Sequence, residues 1–166
     1  LDFHYSDTWA DPGHQNKPQA WRDLEFDELV RALHDYTKKV IVELKKDRVS
    51  PEMVQIGNEI SNGFLWPDGT YDDWNRFATL VMAGVRAVGQ ADPSAKVMIH
   101  LAWGGQNTKS RWFLDKAMEH GIEFDILGQS YYPKWHGTIE DLRKNLNDLA
   151  GRYEQPIICV EYSQHK

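Results

Sequence analysis

The sequence predicts an α/β fold in which helices cover a parallel sheet. Short apolar runs alternate with long amphipathic stretches along the 166 residues. The runs are as apolar as strands buried on both faces need to be. Their order, β-α-β-α-β-α-β-α-β, is typical of parallel strands joined by helical crossovers. An open doubly wound sheet and a segment of an eight-stranded barrel both fit this order.

Apolar residues at intervals of three and four predict four helices. The predicted helices span about residues 25–47, 72–90 and 110–120, with a fourth that begins near residue 138. The predicted strands cover residues 1–4, 53–57, 96–102, 124–130 and 157–161. Asp23 is a candidate cap for the first helix, Gly121 a terminator of the third, and Thr138 with Asp141 a capping box for the fourth. Gly84, on the apolar face of the second helix, permits a close approach by a neighbouring element.

Composition narrows the possible partners. The net charge of −6 argues against nucleic acid, which requires clustered Lys and Arg. No apolar run approaches the length of a membrane span. The single cysteine, Cys159, lies in an apolar run, and we expect it to be buried. No linker interrupts the chain, so residues 1–166 are expected to form a single domain. We also expect a monomer, and a mature or excised piece of a longer protein.

Carboxylates stand directly after two of the predicted strands. One strand leads into Asn58 and Glu59, and another leads into Glu161. An acid at the end of a buried strand is partly desolvated, which can raise its pKa. Two such acids facing one cleft supply the proton donor and the nucleophile or base of glycoside hydrolysis. For either glutamate alone, a solvated loop residue or an ion-pair partner is the simpler interpretation.

Aromatic residues in the strand-end loops indicate a sugar-binding surface, since aromatic faces stack on the apolar faces of sugar rings. These residues are Tyr5, Trp9, Trp66, Trp103, Tyr131, Tyr132 and Trp135. Packing of the loops themselves is the alternative explanation. Trp74 and Trp112 fall within predicted helices and are expected to belong to the core.

Cofactor and metal motifs are missing from the sequence. The seven histidines, from His4 to His165, show no HxxxH or HxH spacing, so no metal site is predicted. His4 and His100, both at strand ends, are expected to bond substrate or to hold a carboxylate. Residues 103–106 do not form a GxGxxG loop after the first strand, and no GxSxG elbow is present. No cofactor is therefore predicted.

Several motifs are spread in order along the whole chain. They are residues 1–12 (LDFHYSDTWADP), 54–60 (VQIGNEI), 63–67 (GFLWP), 98–101 (MIHL), 130–133 (SYYP) and 160–161 (VE). Together they resemble glycoside hydrolase family 53, the endo-β-1,4-galactanases. The resemblance implies a (β/α)8 TIM barrel, of which this chain holds about strands three to seven. It also implies hydrolysis of β-1,4-galactan in type I arabinogalactan with net retention, by a secreted, cell-surface or periplasmic protein.

The resemblance assigns Glu59 as the acid/base at the end of strand four and Glu161 as the nucleophile at the end of strand seven. Glu59 must then carry a proton and Glu161 a charge. For retention, the two carboxyl groups are expected to lie roughly 5 to 5.5 Å apart. Tyr132 is expected to hydrogen-bond Glu161. The remaining candidate substrate-binding residues are His4, Asp7, Trp9, Asn58, Trp66 and His100.

The chain departs from the family pattern in two ways. Ala102 and Trp103 follow the third strand where the family often has an acidic residue. By the resemblance, we expect strands one, two and eight, and the calcium loop of some members, to fall outside these 166 residues. Five strands of eight leave two open edges, so we expect the 166 residues alone to be poorly stable. A hydrolase of another β-linked glycan, such as mannan or a glucan, a non-catalytic carbohydrate-binding module and an inert fragment remain as alternatives.

Overall fold

One parallel five-stranded sheet organises the computed structural model, which describes residues 1–163. The strands are β1 (Asp2–Phe3), β2 (Met53–Ile56), β3 (Lys96–Leu101), β4 (Ile126–Tyr131) and β5 (Ile157–Tyr162). Each strand pairs with the next one along the chain. A doubly wound sheet would reverse its order at a switch point, so this sequential order is that of a barrel segment. His165 and the rest of residues 164–166 lie outside the described part of the chain.

Helices follow the strands as the periodicity predicts. They are α1 (Phe26–Lys46), α2 (Trp74–Ala91), α3 (Asn107–Glu119), α4 (Pro133–His136) and α5 (Ile139–Arg152), with a 3-10 turn at Gln19–Trp21. The four predicted helices correspond to α1, α2, α3 and α5. The single turn α4 was not predicted because four residues are too few to show an apolar period. Every helix within residues 1–163 is too short or too polar to span a bilayer.

The helix ends show which local signals were informative. Thr138 and Asp141 form the predicted capping box of α5, and Gly121 after α3 has a positive φ of 68°. The prediction for Asp23 was wrong, because Glu25 caps α1 in a reciprocal pair with Glu28. Asp is among the residues most preferred at a helix N-cap, and Glu is not, so the sequence preference favoured Asp23.

The apolar core lies between the sheet and the helices, and α1 packs against α2. Two predicted core positions differ from expectation. Trp112 on α3 is 40% exposed and meets Trp74 edge to face at 5.7 Å. Cys159 is exposed, because β5 is the last strand of the described sheet and pairs with a neighbour on one side only.

Close contact between α2 and β2 depends on Gly84. A Cβ atom at this position would lie 2.8 Å from Cγ2 of the buried Ile56. A Cβ atom at Gly89, on the same helix, would meet nothing within 4 Å. The sequence prediction that residue 84 permits a close approach is therefore confirmed.

We predict opposite effects for two glycine-to-alanine changes in α2. Gly84→Ala should lower the free energy of unfolding by roughly 1–2 kcal/mol, because Ile56 must shift within a packed core. Gly89→Ala, the matched control, should raise it by up to about 1 kcal/mol through helix propensity alone. Urea denaturation of the full chain measures both, and equal effects at the two positions would contradict the packing argument.

Candidate active site

A sharp turn after β2 brings Glu59 over the end of the sheet. Gly57 and Glu59 both have positive φ angles, 77° and 48°. A Cβ atom at residue 57 would approach Cγ2 of Ile60 to 2.4 Å, so this turn requires glycine. The N–H of Ile60 donates to the carbonyl of His100 at 2.9 Å and ties the turn to β3. A glutamate whose backbone is held in the left-handed conformation is typical of a functional site.

An irregularity in β5 aims Glu161 at the same side of the sheet. Gln129 pairs with Cys159, but Ser130 pairs with Glu161, so the register shifts by one residue at Val160. Paired residues on neighbouring strands project to the same face of a sheet. The shift therefore places Glu161 on the face of Ser130, while Tyr131 and Tyr162 stack on the other face. Without the extra residue, Glu161 would point away from the cleft.

Both glutamates line one cleft of about 620 Å³ at the carboxyl ends of the strands. This is where barrels of this kind carry their functional groups. The rest of the lining is Trp9, Asp11, Pro12, Gly13, Ala102, Trp103, Gln106, Tyr132, Trp135 and His136. Exposed indoles lie among these residues, since Trp9 is 70% exposed and Trp135 is 65% exposed. A cleft with acids and exposed aromatic rings suits a carbohydrate chain.

Glu59 has the properties of a proton donor near neutral pH. Its residue is only 7% exposed. Burial raises the pKa of Glu59 to about 7, and the negative charges of Glu161 and Asp11 act in the same direction. A carboxyl group with such a pKa can both release and regain a proton under ordinary conditions.

Glu161 is half-buried and is oriented by a short hydrogen bond. The hydroxyl of Tyr132 donates to its Oε2 atom at 2.6 Å, as the sequence predicted. This bond, followed by burial, raises the pKa of Tyr132, which keeps the phenol protonated and donating. The two glutamates thus differ in surroundings: one is desolvated, and the other accepts a hydrogen bond.

Asn58 and His100 lie beneath the floor of the cleft. Asn58 is 1% exposed and His100 is fully buried. The Asn58 amide donates to the carbonyl of Ala10 at 2.9 Å, and its Oδ1 faces Nδ1 of His100 at 2.9 Å. Nε2 of His100 lies 2.7 Å from Oγ of Ser130. Their polar atoms are bonded to protein groups, so a role for either in binding substrate stays a prediction.

The other candidate substrate-binding residues do not share one surface. Trp9 and Tyr132 line the cleft. His4 and Asp7 line a neighbouring hollow of about 460 Å³, although the His4 ring contacts Trp9 edge to face at 5.5 Å. Trp66 is half-buried outside both, and its indole N–H donates to the carbonyl of Asn62 at 3.0 Å.

Two aromatic residues that the sequence placed in the loops belong to the packed interior. Tyr5 is 5% exposed, and its hydroxyl lies 2.7 Å from that of Thr37. Tyr131 is 2% exposed and donates to the carbonyl of Gly137 at 3.0 Å. Loop packing, the alternative considered from sequence, is correct for these two tyrosines.

His136 is a site residue that sequence reasoning missed. Its Nδ1 accepts the N–H of Tyr132 at 3.1 Å, and its ring lies against that of Tyr132. It therefore fixes the backbone that carries the hydroxyl bonded to Glu161. The one available signal was its place four residues after Tyr132, at helical spacing. Within residues 1–163, no three His, Cys, Asp or Glu residues are grouped closely enough to bind a metal ion.

Comparisons with known proteins identify the family of this chain. The model of glycosyl hydrolase family 53 matches residues 1–165. The chain belongs to glycosyl hydrolase family 53. The GH53 catalytic domain of Ignisphaera aggregans superposes with a TM-score of 0.92 at 44% identity, over 94% of this chain and 43% of that one. The sheet is accordingly part of a (β/α)8 barrel.

Curated family relatives include galactanases. The chain is 37% identical to the arabinogalactan endo-beta-1,4-galactanase of Cellvibrio japonicus, over 97% of this chain and 45% of that protein. It is 52% identical to an uncharacterized protein in the bgaB 5′ region of Niallia circulans, over 97% of this chain and 46% of that protein. The chain thus spans about half the length of the curated relatives it matches.

The raised pKa of Glu59 predicts a pH-dependent cost of folding. Because the folded state favours the protonated form of Glu59, protonation of this residue stabilises the fold. That contribution is complete below pH 4.5 and is lost as pH rises through about 7. Glu59→Gln should therefore raise the free energy of unfolding by about 2–3 kcal/mol above pH 7, and by much less at pH 4. Urea denaturation of the full chain across this range measures the effect. The exposed Glu154→Gln is the control, and a pH-independent gain in Glu59→Gln would refute the assignment.

Proposed function

We propose that this GH53 chain supplies the catalytic pair of a retaining endo-hydrolase of β-1,4-galactan, with type I arabinogalactan as substrate. The observation that carries the proposal is the shared cleft: Glu59, with a pKa near 7, and Glu161, bonded by Tyr132, both line it. The galactan specificity is supported by the names of relatives such as the Cellvibrio japonicus galactanase.

The reaction proceeds as two displacements. The carboxylate of Glu161 attacks the anomeric carbon while Glu59 gives its proton to the departing glycosidic oxygen, so one C–O bond forms as the other breaks. The deprotonated Glu59 then accepts a proton from water, which attacks the same carbon and frees Glu161. The configuration of the sugar is inverted twice and hence retained. The roughly 5 to 5.5 Å carboxyl separation required for this pathway stays a prediction.

Aromatic residues at the rims of the cleft suit a polymeric substrate. Trp9 and Trp135 present exposed rings on which sugars can stack. His4 and Asp7 extend the same loop region toward the neighbouring hollow. Asn58 and His100 support the substrate site from below the floor of the cleft. Trp66 supports the loop that follows Glu59. We propose that the whole protein is a monomer and is secreted or held at the cell surface or in the periplasm, as extracellular polysaccharide substrates require.

We predict that the two glutamates respond differently to substitution. Glu59→Gln and Glu161→Gln should each lower turnover on galactan by at least about 10³-fold in the full chain, with binding kept. Glu59→Gln should retain much more activity on aryl galactosides whose leaving group needs no proton, whereas Glu161→Gln should not. Glu154→Gln is the matched control.

Initial rates on galactan, mannan and glucan, together with isothermal titration of galacto-oligosaccharide, distinguish the possibilities. Preferential hydrolysis of mannan or glucan would show that one of these glycans, and not galactan, is the substrate. Binding without any turnover in the unsubstituted chain would indicate a carbohydrate-binding module in place of an enzyme.

We predict that Tyr132→Phe lowers kcat/KM by about 10- to 100-fold, because a charge-assisted hydrogen bond that orients Glu161 is lost. The ring and its contact with His136 remain, so the fold should be unaffected. Tyr71→Phe, at a tyrosine that lines neither the cleft nor the neighbouring hollow, is the control. An unchanged kcat/KM in Tyr132→Phe would contradict a role for this hydroxyl.

A further inference from the structure

One buried amide group contacts the backbone on both sides of the Glu59 Cα atom. Gln15, in the loop after β1, is 1% exposed, and its Nε2 donates to the carbonyl of Asn58 at 2.7 Å. The same nitrogen lies 3.4 Å from the carbonyl oxygen of Glu59. These two carbonyls belong to the peptide groups that flank the Glu59 Cα atom. A single side chain therefore restricts both backbone torsions that aim the acid.

The orientation of the Gln15 amide follows from its partners. A carbonyl oxygen can only accept a hydrogen bond, so the atom that faces Asn58 and Glu59 must be the nitrogen. Oε1 is buried, and no group within residues 1–163 donates to it. Because an unpaired buried acceptor is costly, an apolar side chain of similar length would pack here at lower cost. What the glutamine adds over such a side chain is the donor to the Glu59 turn.

The loop that carries Gln15 is itself fixed in place. The carbonyl of Gln15 accepts the N–H of Trp66 at 2.7 Å, and Asn16 pairs with Trp66 in a short parallel bridge. Lys17 forms an ion pair with Asp68 at 2.7 Å, and both side chains are largely buried. Three consecutive residues thus bind the loop after β2, so they give the amide a firm base.

The N–H groups and the carbonyl groups of the Glu59 turn have different partners. The Ile60 N–H donates to the carbonyl of His100, and the Glu59 N–H lies 3.4 Å from Nδ1 of His100. The carbonyls before and after the Glu59 Cα atom face Gln15. A positive φ at a glutamate costs backbone energy and persists only where the surroundings hold it. His100 on β3 and Gln15 after β1 both contribute to that hold.

We propose, given the catalytic role proposed for Glu59, that Gln15 is a positioning residue that aims this acid at the glycosidic oxygen. Gln15 is absent from the lining of the cleft, so it acts through Glu59 and does not touch substrate. A general acid must lie within hydrogen-bond reach of the atom that it protonates. A misplacement of about 1 Å can lower the rate roughly 100-fold. We expect the turn to relax on this scale when the amide is lost.

Removal of the donor should affect the reaction that needs the proton of Glu59. Gln15→Met keeps the approximate length of the side chain but donates nothing. In the full chain, it should lower kcat/KM on galactan by about 10- to 100-fold. On an aryl galactobioside whose leaving group needs no proton, kcat/KM should change by less than about threefold, because it then reports the attack of Glu161 alone.

Gln129→Met is the matched control. Gln129 is fully buried on β4, and neither polar atom of its side chain has a partner within residues 1–163, so the change removes no hydrogen bond from that part of the chain. Its kcat/KM should match that of the unsubstituted chain on both substrates. An equal loss on both substrates in Gln15→Met, or no loss on galactan, in a variant with native circular dichroism, would overturn the proposal.

Gln15→Glu tests the same hydrogen bond even if Gln15→Met fails to fold. A protonated carboxyl group donates its O–H to the carbonyl of Asn58, whereas a carboxylate has no hydrogen to donate. Burial raises the pKa of such a carboxyl group, so low pH restores the donor. The ratio of kcat/KM on galactan, variant to unsubstituted chain, should be near one at about pH 5 and at least about tenfold lower at about pH 8. A ratio that does not change with pH would overturn the proposal.

Titration of Glu59 separates this inference from the proposed function, because it needs no substrate. Release of the turn admits water to the carboxyl group. The pKa of Glu59, followed by ¹³C NMR of labelled glutamate, should therefore fall from about 7 by about one unit in Gln15→Met. Such a fall in a chain that hydrolyses nothing would support the positioning role and refute the hydrolase. Galactanase activity, with the rates and the pKa unchanged in Gln15→Met, would do the reverse.

Discussion

Parallel alignment of five consecutive strands is the constraint on which the rest of this structure depends. Because every strand runs in the same direction, the residues after β2, β3, β4 and β5 meet at one edge of the sheet. Glu59 and Glu161 are about a hundred residues apart in sequence, and only this alignment brings them to one cleft. Two local devices complete the placement: the left-handed turn at Gly57 and the register shift at Val160.

The two carboxyl groups differ because their surroundings differ. Glu59 lies above buried, uncharged groups, and desolvation favours its neutral form. Glu161 lies on the last described strand, half-buried, with a phenol hydroxyl donating to it. In the proposed reaction, the same residue type thus supplies both the proton donor and the nucleophile. The negative charge of Glu161 also helps Glu59 to keep its proton.

Sequence reasoning reached the architecture and the acids, because periodicity and residues at strand ends are local signals. The capping box at Thr138 and the close approach at Gly84 were likewise readable. The burial of individual side chains could not be predicted in the same way. Tyr5 is buried, and Cys159 is exposed on β5. The short helix that carries His136 has no period, and the register shift in β5 arises from strand pairing that no single segment encodes. Hydrogen-bond partners deep in the fold depend on such long-range pairing and could not be predicted.

The distance between the two carboxyl groups in a crystal structure of the full chain, with a galactose oligomer in the cleft, tests the central claim most directly. We predict a separation of roughly 5 to 5.5 Å, with Glu59 next to the glycosidic oxygen and Glu161 beneath the anomeric carbon. A separation beyond about 6.5 Å would indicate inversion through a water molecule. An oligomer bound away from both glutamates would contradict the catalytic assignment altogether.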